Sequence, residues 1–139
     1  MSIEELLSRY QAGERNFRGV NLIGLYLNGI DLSGADFYGA SFCEADLSHA
    51  TLIGANLTEA SLVRANLTGA NLSQANLSGA NLFEAKLTGA VLTGAQLKMT
   101  DLVDADLTAA ELVKANLYGA YLSGSTWDGA IMPDGTVYA

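Results

Sequence analysis

Residues 65–84 read Ala65-Asn66-Leu67-Thr68-Gly69-Ala70-Asn71-Leu72-Ser73-Gln74-Ala75-Asn76-Leu77-Ser78-Gly79-Ala80-Asn81-Leu82-Phe83-Glu84, four successive copies of a five-residue unit. The pattern extends in both directions. From Phe17 to Met132 every fifth residue is large and apolar: 24 positions hold 19 Leu, three Phe, Trp127 and Met132. Two residues before each, from position 20 to 130, Ala fills 18 of 23 places, and Gly fills 13 of the 24 places two residues after. A fixed internal period of this kind decides the architecture before any local propensity does.

A helix cannot use this period, because five residues advance about 500° and the leucines would wander around the cylinder. A straight strand cannot either, since residues five apart on it point to opposite faces. The chain must therefore turn a corner in every unit, with positive φ expected at the Gly-rich position. Near-right-angle corners close a square after four units, and successive squares stack as parallel strands about 4.8 Å apart. Sorting the residue after each central Leu or Phe by a period of twenty tests the closure. One column reads Ile23, Cys43, Val63, Phe83, Val103 before ending at Ser123; another reads Asn28, Ser48, Thr68, Thr88, Thr108, Asp128. A period of five alone would not separate apolar from polar in this way. The predicted fold is all-β: a quadrilateral parallel β-helix, a solenoid of about six coils with twenty residues per coil, roughly 29 Å tall. Parallel crossovers are overwhelmingly right-handed, and that hand is assigned.

Units such as Ala55-Asn56-Leu57-Thr58-Glu59, Ala65-Asn66-Leu67-Thr68-Gly69 and Ala75-Asn76-Leu77-Ser78-Gly79 resemble the pentapeptide-repeat family, whose unit is Ala-Asp/Asn-Leu-X-X. The resemblance spans nearly the whole chain and implies the same right-handed quadrilateral β-helix. The ending Ile131-Met132-Pro133-Asp134-Gly135-Thr136-Val137 is similar to tails of cyanobacterial members. Lys86, Val91, Gln96 and Tyr121 depart from Asp/Asn, and Thr100 and Ser125 from the small inward Ala.

A solenoid has two raw ends that need covering. Ser2 with Glu5 reads as a capping box, and Ile3, Leu6, Leu7 and Tyr10 have helical spacing up to a stop at Gly13. Residues 1–14 are thus a capping α-helix, laid over a mouth widened by Val20, Leu25 and Ile30 at inward positions otherwise held by Ala. Residues 15–134 are the β-helix and 135–139 a C-terminal tail. Trp127 and Met132 are expected to plug the far end, with Pro133-Asp134-Gly135 as a turn.

The chain has 139 residues, 15 acidic and 7 basic, a formal charge of −8, one Cys, one His and one Pro. These numbers exclude a disulfide scaffold, a multi-cysteine zinc site and a basic surface for direct nucleic-acid binding. No apolar run approaches the roughly 18 residues of a membrane span. The opening residues carry no basic-then-apolar signal, and the unpaired Cys43 suits a reducing compartment, so the cytoplasm is the expected location.

No catalytic, cofactor-binding or metal residues are assigned, and the chain is not expected to be an enzyme. His49 falls at an outward corner and reads as a solvated surface residue. Asp101, Asp104 and Asp106 suggest a cation site. However, the corner columns Glu44, Arg64, Glu84, Asp104 and Asp46, Asn66, Lys86, Asp106 alternate in sign at coil spacing, which favours surface ion pairs.

The outward stripe Ile23, Cys43, Val63, Phe83 and Val103, rimmed by Glu44, Arg64, Glu84 and Asp104, is the candidate partner face. Adjacent β-branched and aromatic residues also stabilise a sheet without any ligand. Ile53 and Val113 form a weaker set, interrupted by Ser73 and Thr93.

The expected function is a non-catalytic interaction or structural scaffold with a protein partner, as a monomer or an end-to-end dimer. The alternative comes from the resemblance, since some family members inhibit DNA gyrase by imitating duplex DNA. Charge density opposes its strong form. About 29 Å of B-DNA carries about 17 negative charges, whereas residues 17–127 carry ten acidic and five basic side chains.

Overall fold

The computed structural model describes residues 1–139. Its helix, α1, spans Ile3–Gln11. Ser2 caps it, its Oγ accepting from the Glu5 N–H at 3.1 Å. Glu4 and Glu5 in the first turn and Arg9 in the last complement the helix dipole. Gly13, at φ +97°, takes the chain out of the helix. Leu6 is fully buried in the core, and Ile3, Tyr10, Val20, Leu25 and Ile30 are partly buried against that core.

From Asn16 onward parallel bridges join residues twenty apart, beginning with Asn16↔Asp36 and recurring every five residues to Glu111↔Ile131. Each side of a square coil is therefore one five-residue unit, and each rung lies in register on the one before. The unit accounts for all five of its amide protons. In the unit built on Leu57, Leu57 N donates to Asn76 O at 2.7 Å and Glu59 N to Ser78 O at 3.0 Å, while Asn56 N donates back to Ala35 O at 2.9 Å. Ala60 N closes the corner on Leu57 O at 3.0 Å. That leaves only Thr58 N, which the Asn56 Oδ1 accepts at 3.1 Å. The preference for Asn or Asp before each Leu thus has a cause: the side chain satisfies the one amide that the ladder and the turn leave over.

Positive φ occurs at the predicted corners, at glycines and also at ten other residues, among them Glu44, His49, Arg64, Glu84, Asp104 and Ala109. A side chain there costs about 1–2 kcal/mol, which the surrounding ladder must hold in place.

The interior is a stack of Leu and Ala layers forming one cluster of 39 buried residues. Phe17 and Phe37 stack at 5.5 Å between centroids and Phe42 meets Phe37 edge-on at 5.0 Å, filling the wider N-terminal rungs. Thr100, at an inward Ala position, is fully buried, and its hydroxyl donates to Leu77 O at 2.7 Å. The backbone stays regular there: Met99 N reaches Tyr118 O at 2.9 Å and Asp101 N reaches Ala80 O at 3.0 Å.

At the far end Trp127 is 7% exposed, its Nε1 donating to Ser125 Oγ at 2.8 Å, and Met132 packs on the core. The turn at Pro133-Asp134-Gly135 reverses the chain, so residues 135–139 do not hang free. Val137 bridges Ile131 antiparallel, and Tyr138 N donates to Ala130 O at 2.8 Å. This closure covers one side of the last rung. Leu122 stays 40% exposed and Leu117 half-buried.

Candidate functional site

Rung register decides which surface residues meet. The bonds Gly24 N→Cys43 O, Glu44 N→Val63 O, Arg64 N→Phe83 O and Glu84 N→Val103 O, each 2.9–3.0 Å, set Ile23, Cys43, Val63, Phe83 and Val103 one above another. The whole stripe is brought together on one face. Ile23 is 52% exposed and the other four are half-buried. Behind the stripe, Asn21, Asn81 and Asp101 turn their Oδ1 onto the amides of Ile23, Phe83 and Val103, which fixes the outward direction of those residues.

Cys43 is the chemically distinct member. Ser41 Oγ donates to its Sγ at 3.4 Å, and Ser61 Oγ lies 3.0 Å away on the next rung. Burial pushes the thiol up, but the two hydroxyls and the Val63 and Cys43 amides outweigh it, and the net shift is downward. The sequence singles out Cys43 but not the two serines.

The rim residues Glu44, Arg64, Glu84 and Asp104 stand exposed at positive-φ corners beside the stripe. Only one of the expected ion pairs along the two columns forms, Arg64 Nη2 to Glu84 Oε1 at 3.3 Å, and being exposed it contributes little. Lys86 makes none with Asp106. That carboxylate already accepts from Thr108 N at 3.0 Å and from Thr126 Oγ1 at 3.0 Å. The Thr108 hydroxyl and amide hold it below the usual carboxylate range. The same Asx turn depresses Asp46, led by the Ser48 hydroxyl and then its amide.

Asp101, Asp104 and Asp106 do not converge: Asp101 caps Val103 N, Asp104 leans over Gly124, and Asp106 serves Thr108 and Thr126. His49 is exposed, its ring lying over Gly69. Ile53 is exposed on another face. No helix is long and apolar enough to cross a membrane. One concavity escaped the sequence reading: a cleft of about 470 Å³ between α1 and the first rung, lined by Ile3, Leu7, Tyr10, Tyr26, Leu27 and Ile30 among others. Its only advance sign is Tyr26, aromatic in a column that continues Asp46, Asn66, Lys86, Asp106.

The family of pentapeptide repeats matches residues 16–52, 45–83 and 85–124, in eight copies. The chain belongs to the pentapeptide-repeat family. Its rungs form the right-handed quadrilateral β-helix of that family. No curated protein matches it. Among solved structures, Rfr23 from the cyanobacterium Cyanothece 51142 is 26% identical, with 99% of this chain and 100% of that one covered and a TM-score of 0.61. A pentapeptide-repeat protein of the Arabidopsis thaliana thylakoid lumen is 31% identical over 81% of this chain and 72% of its own, with a TM-score of 0.55. QnrB1, a plasmid-mediated fluoroquinolone resistance protein, shares the fold at 20% identity and a TM-score of 0.64, covering 83% of this chain and 66% of its own. Pentapeptide-repeat proteins are in general structural or interaction proteins rather than enzymes.

Proposed function

We propose that this pentapeptide-repeat protein is a non-catalytic interaction scaffold whose partner protein lies along the Ile23-Cys43-Val63-Phe83-Val103 face. The observation that carries the reading is the continuity of that stripe, five apolar residues in rung register with Glu44, Arg64, Glu84 and Asp104 along one edge. A rigid flat strip of this kind suits a partner that buries Phe83 centrally and meets the charges at its rim. A Phe83→Asp, Val103→Asp double variant that keeps its β circular dichroism should lose the partner in affinity capture from lysate of the source organism. Undiminished capture rejects the face.

The acidic excess of −8 supports a second reading, a DNA-mimic inhibitor or modulator of gyrase or another DNA-binding protein. The tube's low charge density ranks it below the first. A supercoiling assay in which excess protein leaves gyrase unaltered ends it.

The likeness to Rfr23 of a cyanobacterium supports a cyanobacterial source. Cys43 supports a reducing cytoplasm, with a thylakoid lumen as the competing location. The unpaired amides of Leu117, Gly119, Leu122 and Gly124 on the last rung support an end-to-end dimer over a monomer, which sedimentation distinguishes.

A further inference from the structure

On every interior rung, the groups equivalent to Tyr26 N, Tyr26 O, Asn28 O and Asp31 N are paired. One rung on, Asp46 N donates to Leu25 O at 2.9 Å, Asp46 O accepts from Leu27 N at 2.7 Å, Ser48 O from Gly29 N at 2.9 Å, and Thr51 N donates to Ile30 O at 2.8 Å. On the first rung these four groups have no partner within the chain. The helix takes over elsewhere: the Tyr10 hydroxyl meets Ser33 O at 2.7 Å and the Met1 ammonium meets Asn21 O at 3.5 Å. Over Tyr26–Asp31 it stands away, leaving the 470 Å³ cleft.

We propose that this cleft seats an extended peptide with one leucine-sized side chain, which pairs with the Tyr26–Asp31 edge as an added strand. The peptide continues the stack by one side. Two of its amides donate to Tyr26 O and Asn28 O, two of its carbonyls accept from Tyr26 N and Asp31 N, and about six residues span the side. Its apolar side chain packs against Ile3, Leu7 and Ile30, which are only half-buried, over a Leu27 that is itself already buried. Charge selects the flank: Asp31 lines the cleft and no Lys or Arg does, the cation acting on it being Arg15, stacked on Tyr10 at 3.6 Å. A basic residue beside the apolar one is therefore favoured where it reaches the Asp31 carboxylate. The Ser33 amide and hydroxyl hold the Asp31 carboxyl below its usual range, so it is ionised at neutral pH.

The test titrates full-length ¹⁵N-labelled protein with the capped peptide Ac-Ala-Thr-Leu-Thr-Lys-Ala-amide, whose two alanine carbonyls are the acceptors for Tyr26 N and Asp31 N. The expected result is amide shift changes concentrated at Tyr26, Asn28 and Asp31, with at least about tenfold weaker binding when the peptide leucine becomes Asp or its amide is N-methylated. Both controls leave the protein untouched, so folding does not enter. No change at these amides up to about 1 mM peptide, the weak end of specific binding, overturns the proposal. Equal binding of the N-methylated peptide also overturns it, marking an apolar pocket without strand pairing. Concentration-dependent broadening of the same amides without peptide overturns it in favour of a second copy. The Phe83→Asp, Val103→Asp variant should bind the peptide as the parent does, which separates this cleft from the stripe.

Discussion

The imidazole of His49 lies over Gly69, one rung further on, so closely that a Cβ added to Gly69 would stand 2.5 Å from Nδ1. The arrangement recurs: Glu59 covers Gly79, Gln74 covers Gly94, Met99 covers Gly119 and Asp104 covers Gly124. At these corners a side chain with positive φ leans toward the next rung and meets a glycine there.

Gly69→Ala should therefore cost more than Gly89→Ala, where nothing lies within 4 Å and only the strain of φ +65° applies. That strain is about 1–2 kcal/mol. The excess at Gly69 should vanish in a His49→Ala background, a coupling that a urea-denaturation double-mutant cycle measures.

Ala109 holds φ +58° with a side chain that gives nothing back. Ala109→Gly is expected to raise stability by up to about 1 kcal/mol, the relief of strain exceeding the added entropy of the unfolded chain. Denaturant midpoints of the two proteins check it.

Asn56→Ala removes the acceptor for Thr58 N and the 3.0 Å bond to Asp36, and should cost about 1 kcal/mol or more. The reverse change, Gln96→Asn, supplies an acceptor for Lys98 N between Asn76 and Asn116, which already make this turn. It should stabilise by a fraction of that amount, read as a rise in Tm.

Asp31, Asp46, Asp106 and Asp134 all have depressed carboxyl pKa values, each led by a hydrogen bond from the residue two positions on. A depressed pKa stabilises the folded state in full above the ordinary value of 3.8, and that stabilisation is lost as pH falls through the folded value. Unfolding free energy should decline below about pH 4. Asp46→Asn keeps the acceptor oxygen but not the proton site, and should flatten part of that decline in an acid titration followed by circular dichroism.

Leu72→Ala in the middle of the shaft should cost about 2–5 kcal/mol, and Leu72→Asp should prevent folding, since a carboxylate there finds no partner. Calorimetry separates the two.

The shaft was legible because the constraint on it is absolute: every fifth side chain must fit the same square, so Leu recurs without exception from Leu47 to Leu122. The stripe was legible for the same reason, once residues were sorted by twenties. Its depth was not: Val63, Phe83 and Val103 are half-buried, and sequence carries no areas. The ion pairs were over-read because charge alternation says nothing of competing donors; at Asp106, Thr108 and Thr126 had already taken the carboxylate. The return of Val137 onto Ile131 and the cleft beside Tyr26 both lie where the period stops, and a repeat constrains nothing outside its own units.

Because each rung is bonded only to the rungs before and after it, length and angular phase are separable in this molecule. Duplicating twenty residues, such as 61–80, would lengthen the column and return every later side chain to its own face. Removing a single unit of five between Cys43 and Phe83 would leave the leucines inside, yet rotate everything beyond it by a quarter turn, dealing Phe83 and Val103 to a different wall from Ile23 and Cys43. Natural lengthening that preserves a binding wall must then proceed in whole coils.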